Sequence, residues 1–271
     1  MELSVVIPVK DEAGNIAPLV GEIDAALGGL VDYEIVYVDD GSADQTAAEI
    51  RRFQATNPRL RLMRHAASCG QSAAIRTGVA AARGAWIATL DGDGQNDPAD
   101  IRVLWNIAAG APSNPPLMIA GRRERRRDTL TKRASSRLAN GVRRGLLHDD
   151  TPDTGCGLKL FPRALFLDLP YFDHMHRFLP ALALRAGGVV RSVAVNHRRR
   201  GRGTSKYGTL DRLWVGIADL FGVMWLRRRG SIPVVTEETA PASADRPRPS
   251  RNAPASVGDS LREAPQDRVS R

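Results

Sequence analysis

Two acidic clusters in this 271-residue chain have the residue types and spacing for metal and nucleotide chemistry. Asp91 and Asp93 stand one residue apart in LDGDGQNDP. Two carboxylates so spaced on a glycine-rich turn can share one hard divalent cation, with the amide oxygen of Gln95 as a further ligand. Such an ion keeps positions open for substrate phosphates. Asp39 and Asp40, in VDDGS, can accept from a base N–H or a ribose hydroxyl. Aspartate and glycine also make ordinary turns, so either cluster alone has a purely structural reading. Both clusters together, each directly after an apolar run, favour a site. No G-x-G-x-x-G follows the first apolar run and no P-loop pattern occurs, which argues against dinucleotide and P-loop sites.

The elements that must position these residues alternate. Residues 3–9, 33–38, 60–64, 85–90 and 117–120 read as buried strands, and 16–27, 44–54, 71–82 and 99–107 as helices. Strand and helix alternating at this interval imply βαβ units and a mostly parallel sheet, with ligands at the carboxyl ends of the strands. Asp39 and Asp40 follow the second strand, and Asp91 and Asp93 the fourth. Ser42 with Gln45 fits a capping box, and Asp97 before Pro98 fits a helix cap. Beyond Gly121 the alternation stops. Residues 122–144 form an arginine-rich helical segment, and 153–161, 177–185 and 189–197 read as strand, helix, strand. Residues 198–208 form a basic glycine-rich loop, and 210–226 carry a helical apolar stripe. The tail from 231 holds six prolines, six serines and no aromatic residue, a composition that predicts disorder.

An apolar fraction of 42% supports a sizeable core. Cys69 and Cys156 cannot build a disulfide framework and read as buried small residues of a reduced, cytosolic chain. Residues 3–9 are too short for a signal peptide, and no apolar run is long enough to predict a transmembrane helix. His174 and His176, spaced i, i+2, read with His65 and His148 as structural or exposed rather than as metal ligands. The formal charge of +9 is uneven: residues 1–120 carry 9 basic and 15 acidic groups, 121–230 carry 24 and 9, and the last 41 carry 6 and 6. A pI near 10.3 raises a nucleic-acid-binding reading. Aromatic residues are not interleaved with the arginines, and an acidic pocket repels a phosphate backbone, so no nucleic-acid partner is expected.

The linked patterns VVIPVKDEAGNI, VDDGS, GQSAAIRTG and DGDGQNDP resemble the inverting family 2 glycosyltransferases of GT-A fold. The later DTGCGLKLFPR, MHRFLPAL and HRRRGRGTSKY resemble the branch that charges polyprenyl phosphates, the dolichyl-phosphate mannosyltransferase group. The resemblance covers residues 3–229. It implies an α/β, Rossmann-like GT-A domain with a mostly parallel central sheet, a C-terminal amphipathic helix and a disordered tail. It implies that Pro8, Glu12 and Asp39 line a nucleotide pocket, with Asp40 beside them. Asp91, Asp93 and Gln95 would hold Mg²⁺ or Mn²⁺ against a diphosphate, and Arg200 and Lys206 would contact the phosphates from a loop oriented by His197. Arg122, Lys132 and Ser136 would contact the lipid phosphate. Ser68 stands where relatives often carry Asn, and the hydrophobic C-terminal helices of many relatives are missing.

The expected organisation is a GT-A domain over 1–208, divided into a nucleotide and metal half (1–120) and an acceptor half (121–208). An interfacial helix over 209–229 and a tail over 230–271 follow. The expected reaction moves a sugar, mannose by family weighting, from a GDP- or UDP-linked donor to a polyprenyl phosphate. The expected place is the cytoplasmic face of the plasma membrane. Two tryptophans and Arg227–Arg229 suit that helix to an anionic surface, with Asp211, Arg212 and Asp219 facing water. The enzymatic alternative, transfer to a glycan or lipid hydroxyl, needs a carboxylate base, for which Asp153 is the candidate.

Overall fold

The computed structural model describes residues 1–124, 141, 145–147, 149–199 and 209–231, the side chains of 209–215 excepted. Lys132, Ser136, His148, Arg200, Lys206 and the tail from 232 lie outside the described residues. The short apolar runs form β1 (Leu3–Val9), β2 (Tyr33–Asp39), β3 (Leu60–Arg64), β4 (Trp86–Thr89) and β5 (Leu117–Arg123). Between them lie α1 (Ala13–Leu27), α2 (Thr46–Gln54), α3 (Gln71–Ala81) and α4 (Asp100–Ala109). After β5 come β6 (Lys159–Pro162), α5 (Arg163–Leu167), α6 (Leu179–Arg185), β7 (Val189–Val195) and α7 (Thr209–Arg228).

The seven strands form one sheet in the order β3-β2-β1-β4-β6-β5-β7. β1 runs parallel to β2 and β4, β2 to β3, and β5 to β7. β6 is antiparallel to both its neighbours, β4 and β5. Parallel strands covered on both faces read as continuous apolar runs, which is why LSVVIPV and YEIVYVD carry so few polar residues. On β1, alternation sends Leu3, Val5, Ile7 and Val9 to one face and Val6 to the other. Ile16, Leu19 and Ile23 of α1 and Leu104 of α4 cover the first face. Ala74 and Val79 of α3, Leu165 of α5, Leu182 of α6 and Val223 of α7 cover the second. Met1–Ile232 forms one compact unit.

Several local expectations are corrected. Gln45 is the N-cap of α2 and makes no side-chain cap bond, because the Ser42 hydroxyl instead accepts from the Asp11 amide at 2.9 Å. Asp97 accepts from the Ala99 amide at 3.0 Å, yet α4 begins at Asp100. The strand read over 153–161 starts only at Lys159, since the stretch before it is a glycine-rich loop. The helix read over 177–185 is a 3-10 turn at Met175–Arg177 followed by α6. Asp219 does not face open water: its side chain is 19% exposed and lies 3.3 Å from His174 Nδ1.

α3 is the helix that delivers Gln71 to the site, and it packs tightly on the sheet. A Cβ at Gly78 would stand 2.4 Å from Val6 Cγ1 and 3.0 Å from Val38 Cγ2. Gly78→Val should therefore lift the helix and lower unfolding free energy by about 1–3 kcal/mol, an overpacking cost readable in urea denaturation.

Candidate active site

The ends of β1, β2 and β4 bring the predicted loops to one edge of the sheet. The first two loops interlock. Asp11, in the left-handed region at φ 52°, accepts from the Ala43 amide at 2.7 Å, and the Glu12 amide donates to Thr46 Oγ1 at 2.8 Å. Glu12 also accepts from Asn15 Nδ2 at 2.5 Å. Asp39 is 0% exposed: Oδ1 accepts from the Ser42 amide at 2.9 Å, and Arg64 Nε lies 3.1 Å from Oδ2.

Asp40 differs from its expected role. It accepts from His65 Nδ1 (2.7 Å), Ser68 Oγ (2.7 Å), and the amides of Cys69 (2.8 Å) and Gly70 (2.9 Å). Burial pushes its carboxyl pKa up, but these bonds outweigh it and hold the group below the ordinary carboxylate range. Asp40, His65 and Cys69 have ligand atoms within 4.8 Å of one another, yet Asp40 already accepts at both oxygens. The group is a clamp that folds the 65–70 loop onto the end of β2. Cys69, expected to be buried, is exposed, whereas Cys156 is buried as expected.

Asp91 and Asp93 follow β4. Asp91 Oδ1 accepts from Gln71 Nε2 at 2.9 Å, and Asp93 Oδ1 accepts from the Gln95 amide at 3.0 Å. The Asp91 carboxylate lies against backbone: a Cβ at Gly157 would be 2.2 Å from Oδ2. Burial first, then the Asp93 charge, raises the Asp91 pKa to about 6, against the pull of Lys159, Arg123 and Gln71. A carboxylate raised by burial and by its acidic neighbour, beside a glycine cradle, fits a divalent cation, which relieves that repulsion. The Gln95 amide nitrogen faces the Arg198 carbonyl at 3.5 Å, leaving its oxygen as an acceptor.

A cavity of about 220 Å³ opens beside Asp91, lined among others by Pro8, Gln71, Cys156, Lys159, His176 and Arg177. Ser72 Oγ accepts from the His176 amide at 3.3 Å and lies 2.8 Å from His176 Nδ1. Burial, followed by Lys159 and Arg177, pushes the His176 pKa down to about 3. Burial likewise pushes the Lys159 ammonium down.

The residues that lead into the basic segment are fastened to the loop after β4. Asn96 and His197 form an antiparallel bridge, and the Arg198 amide donates to the Gln95 carbonyl at 2.8 Å. The Arg198 guanidinium joins Asp97 at 2.6 Å to Glu22 of α1 at 2.7 Å. Asp153, the candidate base, is 5% exposed and engaged bidentately by Arg123 at 2.6 and 2.7 Å. Neighbouring residues of a strand face opposite ways, so Arg122 is exposed on the other side of β5 and does not line the cavity. Gln71, Arg123, Lys159, His176, Arg177 and Arg198 were not singled out as site residues from the sequence. The motifs GQSAAIRTG, DTGCGLKLFPR, MHRFLPAL and HRRRGRGTSKY contain five of them, Arg123 excepted.

The profile of glycosyl transferase family 2 matches residues 4–169. The chain belongs to this family. This family 2 glycosyltransferase is 33% identical over 240 residues to the dodecaprenyl-phosphate galacturonate synthase of Rhizobium johnstonii, a match covering 86% of this chain and 69% of the relative. It is 32% identical over 211 residues to the undecaprenyl-phosphate 4-deoxy-4-formamido-L-arabinose transferase of Edwardsiella ictaluri, covering 77% of this chain. The chain spans 63% of the arabinose transferase's length. Its GT-A fold is shared with the glucosyl-3-phosphoglycerate synthase of Mycobacterium tuberculosis bound to Mn²⁺, UDP-glucose and glycerol 3-phosphate. That likeness has a TM-score of 0.58 at 20% identity and covers 86% of this chain and 81% of the other. The same synthase with Mg²⁺ and UDP scores 0.60 at 18% identity, covering 86% and 80%.

His176 provides a pH test. Its unfolded counterpart takes up a proton near 6.5, while the folded ring resists until about 3, so its contribution to stability falls as pH drops through that window. The ring carbon-bound proton of His176 should show no NMR titration between about pH 5 and 8, where an ordinary histidine titrates.

Proposed function

We propose that this family 2 glycosyltransferase moves a sugar from a nucleoside diphosphate to a polyprenyl phosphate, with inversion at the anomeric carbon. The observation that carries the choice of acceptor is the pairing of Asp153 with Arg123. A hydroxyl acceptor needs a carboxylate to take its proton, and Asp153 is spent. A phosphate monoester has a second pKa of about 6 and is ionised already, so it needs no base. Its oxygen attacks the anomeric carbon while the bond from that carbon to the diphosphate breaks and the nucleoside diphosphate leaves. Asp91, Asp93 and Gln95 would hold Mg²⁺ or Mn²⁺, which when bound stabilises charge growing on the leaving diphosphate. Arg200 and Lys206, which follow Arg198 in the sequence, would grip the same phosphates. Pro8, Glu12 and Asp39 shape the nucleotide end, and Arg122, Lys132 and Ser136 remain the proposed contacts of the lipid phosphate.

A uridine nucleotide is the donor we favour, because the GT-A structures of this fold hold UDP beside Mn²⁺ or Mg²⁺. Mannose, favoured by resemblance, is not carried forward. The two relatives are named for galacturonate and for a formamido arabinose. UDP with Mn²⁺ should raise the melting temperature, corresponding to about 2.7 kcal/mol at a hundredfold excess over Kd. Asp93→Asn should weaken Mn²⁺ binding in the presence of UDP by more than about tenfold in a calorimetric titration. An unchanged melting temperature with UDP and with GDP would remove the reading.

The proposed place of action is a membrane surface at the cytoplasmic face. Among the described residues no helix is long and apolar enough to cross a membrane. α7 divides its apolar residues between two faces. Val223 is buried, with Leu220, Met224 and Leu226 packed beside it. Ile217, Phe221 and Trp225, one helical turn apart, are 38%, 62% and 58% exposed. Arg229 lies 5.8 Å from the Trp225 ring at the basic end of the helix. Such a face suits the headgroup region of an anionic bilayer. The chain should co-sediment with phosphatidylglycerol vesicles but weakly with phosphatidylcholine ones, and Phe221→Ser with Trp225→Ser should abolish binding without loss of melting temperature.

A further inference from the structure

We infer that the donor sugar carries a carboxylate, as a hexuronic acid does, and that Lys159 and Arg177 recognise it from the wall of the cavity beside Asp91. This rests on reading that cavity as the donor-sugar site. Lys159 opens β6, a strand whose next residues, Leu160 and Phe161, are core. It is 4% exposed, and its ammonium donates to the Cys156 carbonyl. Among the described residues no carboxylate is hydrogen-bonded to it. A buried ammonium is costly without an anion, and an apolar residue would serve a purely structural strand better.

Among the described residues, Asp91 and Asp153 are the carboxylates that act on Lys159, and both are engaged elsewhere. Asp153 is paired bidentately with Arg123, and Asp91 accepts from Gln71 and carries the repulsion of Asp93. Arg177 lines the same cavity and acts on Asp219 behind it. Among the described residues lining the cavity, Asp91 is the only carboxylate.

The imidazole of His176 reports the potential on that wall. After burial, the groups that hold it neutral are Lys159, Arg177 and His174, and among the described residues no carboxylate opposes them. With Nδ1 held at Ser72, Nε2 is the ring atom left to meet a polar group of the sugar. A hydroxymethyl group at C6 would leave the ammonium with a carbonyl alone. A carboxylate at the same carbon would give it a charge-assisted bond.

The test uses the full chain with Mn²⁺ and compares UDP-galacturonate with UDP-galactose, which differ at C6 as carboxylate and hydroxymethyl. Calorimetric titration of the wild type should show the uronate bound at least about tenfold more tightly. Lys159→Met and Arg177→Gln should each move the ratio of the two Kd values toward one. Equal binding of both sugars by a wild type that binds UDP overturns the inference and leaves the proposed function standing. A preference retained by both variants also overturns it. Competition by inorganic phosphate that disappears in Lys159→Met, with no sugar preference in the wild type, reassigns the wall to the acceptor phosphate and overturns it too. Failure to bind UDP or either sugar removes the donor-site reading itself. Should Lys159→Met not fold, the wild-type ratio and the half-buried Arg177→Gln decide the matter.

Discussion

The Asp91 carboxylate lies where β4 ends, with the backbone of Gly157 so near that a single methyl carbon would stand 2.2 Å from Oδ2. That close approach requires the loop before β6 to come back over the carboxyl end of β4, and β6 to enter the sheet beside it. It therefore ties the acidic first half of the chain to the basic second half. Gln71 from α3, Lys159 from β6 and Arg123 from β5 all act on this one carboxylate. Shift β6 by one residue and Lys159 would face the other side of the sheet.

Around that contact, side chains do the work of joining loops that the backbone leaves separate. Asp40 draws four donors from the 65–70 segment onto the end of β2, which sets where α3 begins and where Gln71 points. Asp11, Ser42 and Thr46 lace the first loop to the second. Arg198 spans Glu22 and Asp97 and so pins the residues leading into the basic segment to the loop after β4. Acidic residues thus serve two ends. Some carry the candidate chemistry, while Asp40, Asp97 and Asp153 hold its frame.

The uneven charge acquires a spatial meaning. The acidic half supplies Asp91 and Asp93 at the strand ends, and the basic half supplies the cavity wall and the basic terminus of α7. The apolar stripe on α7 is shared: Val223 anchors it to the core while Phe221 and Trp225 remain outside.

Much was legible in the chain alone. Short apolar runs alternating with helical stretches read as strands of a covered sheet, so β1 to β5 and the helices between them follow from periodicity, and Asp91 and Asp93 follow from a glycine-rich turn at a strand end. The linked motifs also carried the family. What tertiary structure alone decided is which polar residues meet. Asp40 and Asp153 look like site carboxylates in sequence, and their partners lie 28 to 30 residues away in the chain for Ser68, Gly70 and Arg123. Lys159 reads as one polar residue inside a strand, and His176 as a structural histidine, because the Ser72 that holds its ring lies 104 residues away in the chain. Periodicity reports which face of an element is dry. It cannot report which charge lies across a cavity, since that is set by strand order, and β6 enters the sheet antiparallel between strands that precede it in sequence.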